Sequence, residues 1–255
     1  MIKKVSLIIS LFMVTFTAFA QNWGGGVDDE DLHFGFSFQY ISAEYKILKK
    51  NNWQQLFFDT QNNNIPINGK LQSISSIPTM GFGIGGLLNK RINNYFDARI
   101  SPMFIFSDRI VRYQYENNSS AIEDVTLQNL NNIIDKKIQA TLLEMPISIK
   151  IKSNQLNNIR TYFQVGAKYS LDIGSKKKNF DEGEMPINKL LKNKRSYFSY
   201  ETAAGLDFYF EYFKTSTEIK YSFSTSSVLK DDDTPFANPI DKLFLRHLTV
   251  SLILQ

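Results

Sequence analysis

The sequence predicts an all-β fold, an eight-stranded antiparallel transmembrane β-barrel of the outer-membrane type. Three observations lead there. Long segments alternate apolar and polar residues with period two, the signature of a strand with one greasy and one polar face. The connections between them run long, short, long, short, long, short, long. The amino terminus reads as an export signal, and no later stretch is apolar enough for a spanning helix, so membrane residence has to come from strands.

The alternation is clearest over residues 197–224. Phe198, Tyr200, Thr202, Ala204, Leu206, Phe208 and Phe210 share one face, and Tyr197, Ser199, Glu201, Ala203, Gly205, Asp207 and Tyr209 the other. After a very short turn, Phe213, Thr215, Thr217, Ile219, Tyr221 and Phe223 alternate against Lys214, Ser216, Glu218, Lys220, Ser222 and Ser224, so the pair forms an antiparallel hairpin. Each arm is longer than the roughly five or six residues usual in soluble strands, and long enough to cross a bilayer at a tilt. A soluble sandwich has no reason to sort its long loops onto one end; an outer-membrane barrel does so, with long extracellular loops, short periplasmic turns and both termini periplasmic.

In chain order, residues 1–20 read as a signal peptide: Lys3 and Lys4, an apolar run over 5–16, and Ala18-Phe19-Ala20 before a cut at Gln21. Cleavage removes two lysines and takes the formal charge from +4 to +2, which argues against nucleic acid as a partner. The mean hydropathy of -0.24 does not exclude a barrel, whose greasy outside and polar inside average out. There is no cysteine, hence no lipid-attachment thiol or thiolate metal site. Residues 21–32 form a flexible acidic leader; Asp28, Asp29, Glu30 and Asp31 lack the spacing of a calcium loop.

The barrel occupies residues 33–255. Its first strand starts at His33, with Phe34, Phe36, Phe38 and Tyr40 outward. A long loop is expected over 51–76. The second strand, 78–88, turns Met80, Phe82, Ile84 and Leu88 outward and Thr79, Gly81, Gly83 and Gly85 inward, where the glycines leave lumen space for larger neighbours. Gly81 to Gly86 formally match a dinucleotide pattern, but they lie inside an alternating strand. The third strand, 95–107, sends Phe96, Ala98, Ile100, Pro102, Phe104 and Phe106 outward, Pro102 implying a bulge, and strand character extends through Tyr113 and Tyr115. A long loop follows, with a short helix near 127–134. The fourth strand, 138–152, sets Leu143, Met145, Ile147, Ile149 and Ile151 against Glu144, Pro146, Ser148 and Lys150. The fifth, 160–173, sets Phe163, Val165, Ala167, Tyr169 and Leu171 against Tyr162, Gln164, Gly166, Lys168 and Asp172. Loops at 174–194 and 225–240 and a last strand at 241–254 complete the barrel. Eight strands enclose an interior that side chains fill, so the lumen is expected to be plugged.

The chemistry-bearing residues point to structure. His33 and His247 both face the lumen by parity, at different heights. Asp97, Arg99, Glu144, Lys150, Lys168, Glu201, Asp207, Glu218 and Lys220 read as a neutralised inward network. Lys176-Lys177-Lys178 and residues 192–195 read as solvated loop charge with the option of meeting lipopolysaccharide phosphates. No catalytic, cofactor-binding or metal-ligating residue is assigned and no cofactor is expected.

Several stretches in series resemble one family: His33-Phe34-Gly35-Phe36, Leu143-Glu144-Met145-Pro146 before Lys150-Ile151-Lys152, Asn157-Asn158-Ile159-Arg160 leading to Tyr162, and Tyr200-Glu201 through Gly205-Leu206-Asp207-Phe208-Tyr209. With Phe213-Lys214, Glu218-Ile219-Lys220-Tyr221-Ser222-Phe223 and Ile240-Asp241-Lys242-Leu243, they are similar to the PorT family, outer-membrane barrels of Bacteroidota. That resemblance implies a non-enzymatic accessory component of type IX protein secretion, and of gliding motility where present, with outer-membrane lipid, lipopolysaccharide and other secretion components as partners. The alternatives are a small OmpX/OmpA-like barrel with adhesive or protective surface loops, and a barrel enzyme that modifies lipid A, which would need a base beside a nucleophile at the lipid boundary.

Overall fold

The computed structural model describes residues 30–59, 65–66, 69–116, 132–174 and 185–255. The signal peptide, nearly all of the acidic leader, Lys176-Lys177-Lys178 and most of the expected helix near 127–134 lie outside the described residues. Eight strands form the wall: β1 (Leu32–Lys49), β2 (Leu71–Ile77 and Thr79–Arg91), β3 (Phe96–Ile100 and Met103–Tyr115), β4 (Ile133–Lys152), β5 (Ile159–Asp172), β6 (Ser196–Tyr209), β7 (Lys214–Ser224) and β8 (Ile240–Leu254). Each pairs antiparallel with its sequence neighbour. β1 closes the ring, pairing with β8 from Phe36 opposite Leu254 and with β2 from Leu32 opposite Lys90. A closed ring has no open edge, so every ladder group in the wall can find a partner without water.

The two interruptions fall where proline takes away a donor, at Pro78 in β2 and at Ser101-Pro102 in β3. The bulge expected at Pro102 is absent: Leu88 faces Ile100 and Gly85 faces Met103 in one unbroken register, as do Ile147 with Ile100 and Glu144 with Met103, so the proline only interrupts the ladder, and Gly86 N–H donates to its carbonyl at 3.0 Å. The short turns cover 92–95, 153–158 and 210–213, all at one end. In the middle one Asn157 takes a left-handed φ of 53°, a conformation asparagine tolerates better than most residues. The Gly81 to Gly86 run is wholly inside a strand, so the helix start that a dinucleotide site requires is missing.

Two boundaries depart from the sequence expectation, and a third agrees with it. β2 begins at Leu71, inside the loop expected over 51–76, and β4 begins at Ile133, so 133–134 are strand and not the end of a helix; β3 continues through Tyr113 to Tyr115 as expected. In all three places the polarity of the wall is reversed. Along β4, Leu143, Met145, Ile147, Ile149 and Ile151 point out and Glu144, Ser148, Lys150 and Lys152 point in. Toward the long loops Ile138, Ala140 and Leu142 point in, while Asp135, Lys137 and Gln139 point out. β1 changes after Tyr40, with Ser42, Glu44 and Lys46 outward and Ile41, Ala43 and Tyr45 buried inside. β3 changes after Phe106, with Asp108 and Arg112 outward and Val111, Tyr113 and Tyr115 inward.

The wall therefore has two storeys. The one beside the short turns is greasy outside and polar inside, as lipid demands. The one beside the long loops is built like a water-soluble domain, polar outside around an apolar core. On β4 the greasy belt spans 143–151, which at ~3.3 Å per residue and ~40° tilt is roughly 20 Å of bilayer.

Candidate functional site: a charge-packed lumen beneath a plugged mouth

Polar residues inside the lower storey exist because every second residue must point inward, and charge there is stable only if paired. All nine charges assigned to the lumen from sequence are buried. Lys150 Nζ lies 2.6 and 2.8 Å from the two Asp207 oxygens, and Ser216 Oγ donates to the same carboxylate at 2.6 Å. Arg99 Nη1 is 3.2 Å from Glu218 and donates to Gln164 at 3.1 Å. Tyr162 OH donates to Glu218 at 3.0 Å, and Lys220 bridges Glu218 at 3.3 Å and Glu201 at 3.6 Å. Lys168 lies 2.8 Å from Glu144, which also accepts from Ser170 at 3.1 Å.

Four buried charges extend this set. Asp172 and Lys214 are on the polar faces the alternation assigned to them, and Arg109 and Lys152 were not singled out from sequence. Lys152 lies 2.6 Å from Asp97. The signal for all three bases was strand parity: Lys152 is in phase with Lys150, Lys214 with Ser216, and Arg109 with Arg99 along the continued β3. Among the described residues six buried acids face seven buried bases, a net of +1, so the interior is close to neutral.

Tyr162 is the centre of the packing. Lys150 Nζ sits 3.8 Å from its ring centroid and Arg99 lies 5.6 Å away. The space for that ring comes from Gly205 on the facing strand, where any Cβ would collide with the phenol. Gly83 likewise makes room for Ile105, and Gly85 for Met103. Gly205→Val should thus lower stability by about 1–3 kcal/mol in a urea titration. Gly86→Val, at an outward position with open space around it, should change the midpoint little.

The histidines do not form a site together. His33 pairs in register with Asn89 near the short turns, whereas His247 pairs with Ala43, ten residues further along β1. His247 Nδ1 lies 4.0 Å from Glu144 Oε1, and both side chains are buried. Among the described residues no cluster of His, Cys, Asp or Glu could hold a metal ion.

Above the charges the lumen is closed by the chain itself. Within the long loop expected over 225–240 the chain folds inward: Val228, Leu229, Phe236 and Ala237 are buried against Tyr45, Tyr113, Leu191, Tyr197, Leu243 and Leu245. Tyr113 OH donates to the Phe236 carbonyl at 2.7 Å, its ring meets the Phe236 ring edge-on at 5.2 Å, and Lys136 Nζ lies 3.9 Å from the other side. Val228 N–H donates to Leu243 at 2.8 Å, and Lys194 N–H to Val228 at 2.7 Å. The segment at 192–195 is likewise not free loop. Asn193 is buried and donates to Tyr45 OH, and Lys192 pairs with Asp232 at 3.4 Å. The inward turn follows from the reversal of polarity, because a wall with an apolar inner face needs apolar side chains from somewhere to cover it.

Plug and charge layer block the lumen independently, so deleting 226–238 should leave planar bilayers silent. A resolved single-channel current from that variant would show that the lower lumen is passable.

A closed antiparallel ring of eight strands with a lipid belt and a filled interior defines an outer-membrane β-barrel. The chain belongs to the outer membrane protein beta-barrel domain family, whose model matches residues 19–230. No curated protein matches it. Among solved structures, the chain is similar to Ail, the attachment invasion locus protein of Yersinia pestis, in complex with sucrose octasulfate (13% identity, 88% of this chain and 99% of that one, TM-score 0.36). It is also similar to Neisserial surface protein A (10%, 88% and 98%, 0.36) and to OprG of Pseudomonas aeruginosa (11%, 86% and 93%, 0.38).

Proposed function

We propose that this protein is a non-enzymatic outer-membrane barrel that works through its long-loop end, held at the cell surface as a rigid platform for attachment or protection. The observation that carries this reading is the two-storey wall. A barrel built to pass solutes would keep an open polar lumen; here the storey beyond the lipid is packed as a soluble domain, and the longest connections rise from it. In this reading residues 1–20 are removed on export, 21–32 are a leader, and the short turns and both termini face the periplasm.

A second reading is favoured by the ordered series of segments similar to the PorT family, from His33 to Leu243, which suggests an accessory role in type IX secretion and gliding. The family match reaches only as far as the outer-membrane barrel. Deletion of the gene separates the readings. A surface platform predicts altered attachment or survival with cargo export intact. Blocked export of type IX cargo would instead establish the secretion role, and a changed lipid A mass would overturn the non-enzymatic assignment.

A further inference from the structure

The outer surface just beyond the lipid belt is not charged evenly around the ring. On the β3–β4 side two bases meet two acids: Arg112 lies 2.7 Å from Asp135 and Lys137 lies 2.7 Å from Asp108. That wall is neutral and internally satisfied. On the β8–β1 side, register puts Lys46 opposite Phe244, Lys242 opposite Leu48 and Arg246 opposite Glu44. Lys49 and Lys50 continue the row at the end of β1, against Trp53 and Asn238 of the loops. Among the described residues 44–50 and 241–246 the acids are Glu44 and Asp241, so five bases meet two acids, a local excess of +3. Arg246 and Glu44 pair loosely at 3.5 Å; among the described residues no acid lies within ion-pair distance of Lys46 or Lys242.

Interleaved with the bases on the outer face is a row of rings, Phe244 lying opposite Lys46 and Phe223 opposite Arg246. Tyr200 packs on Phe223 at 5.7 Å and Phe223 stacks on Phe244 at 5.4 Å, with Lys46 Nζ 6.0 Å from the Phe223 ring. Below the rings begin the fully apolar outward positions Leu248, Val250 and Leu252. A hydrocarbon surface topped by one band of aromatic faces and cations in excess of acids is the order of parts that an anionic amphiphile presents in reverse: phosphate and sugar, then acyl chain.

We propose that the outer face of β7, β8 and β1 is a binding site for the phosphate groups of lipid A in the outer leaflet, with Lys46, Lys242 and Arg246 as its cations and the Phe223–Phe244 pair packed among them. This rests on the reading that the long-loop end faces outward. The neutral β3–β4 wall at the same height is a built-in control.

The test uses the mature protein in nanodiscs of phosphatidylethanolamine doped with bisphosphorylated lipid A, with the same lipid A lacking phosphate, or with phosphatidylglycerol; retained lipid is read by native mass spectrometry. The unaltered protein should hold the bisphosphorylated form. Lys46→Gln with Lys242→Gln and Arg246→Gln should lower that retention on the order of 100-fold, at about fivefold per cation. Arg112→Gln with Lys137→Gln should leave retention unchanged, and both variants should keep the folded gel migration because all five side chains are on the outer surface. Equal loss in the control variant, equal retention of the form without phosphate, or equal retention of phosphatidylglycerol would each overturn the assignment. Orientation is read separately, by labelling Lys137→Cys on intact cells with a membrane-impermeant maleimide. Labelling only after permeabilisation overturns the orientation and the lipid A site with it, whereas proper labelling with failed retention overturns the site alone.

Discussion

Lys150→Met should destabilise the barrel by about 3–5 kcal/mol, and Asp207→Asn by a similar amount, while the double variant should lie well above the sum of the two losses. Both groups are completely buried and 2.6 Å apart. Removing one leaves its partner charged in a place that water cannot reach, whereas removing both leaves a polar but uncharged pair. Asparagine keeps an oxygen for Ser216 Oγ, so the cycle isolates the ionic term. The midpoint of urea unfolding, followed by the loss of heat-modifiable gel migration, measures all four proteins. Strict additivity would mean that the lumen charges are independently solvated, and the interlocked interior would have to be abandoned.

Phe236→Ala should cost about 3–5 kcal/mol, and its effect should be confined to the long-loop end. Phe236 is fully buried, lies edge-on to Tyr113 and ties the plug to β3 through its own carbonyl. The wall beneath does not depend on it, since the β7–β8 and β8–β1 ladders are continuous without it. Limited proteolysis should therefore cut within 225–239 in the variant and not in the unaltered protein, with both retaining the folded gel position. Equal protection of the two proteins would indicate a loop held by its ends and not by its apolar contacts. Global loss of the barrel would indicate that the two storeys fold as one unit.

The lower storey was legible in the sequence because lipid imposes one rule on every strand at once. Phe34 to Tyr40, Leu143 to Ile151 and Phe198 to Phe208 all obey it, and their parity placed the buried charges correctly. The upper storey obeys the opposite rule, and reading it with the first hid it. Leu71 and Ile74 passed for loop residues, and Ile133 and Ile134 for the end of a helix, because their apolar side chains no longer alternated in the expected sense among polar neighbours. The plug was hidden for a different reason. Residues 225–239 carry Asp231, Asp232, Asp233, Pro235 and Pro239, which advertise an exposed turn, and nothing local reveals that Val228, Leu229 and Phe236 have an apolar mouth to fill. That information sits on β1, β3 and β8, far away in the chain.

The level at which the wall reverses is the central claim, and one strand tests it. A nitroxide placed singly at Gln139, Ile147 and Ser148 of β4 in reconstituted protein reports collision with oxygen, which concentrates in lipid, against collision with a nickel chelate confined to water. The two-storey wall predicts that Ile147 meets oxygen, Gln139 meets nickel and Ser148 meets neither. Oxygen-dominated collisions at Gln139, or nickel-dominated ones at Ile147, would contradict it.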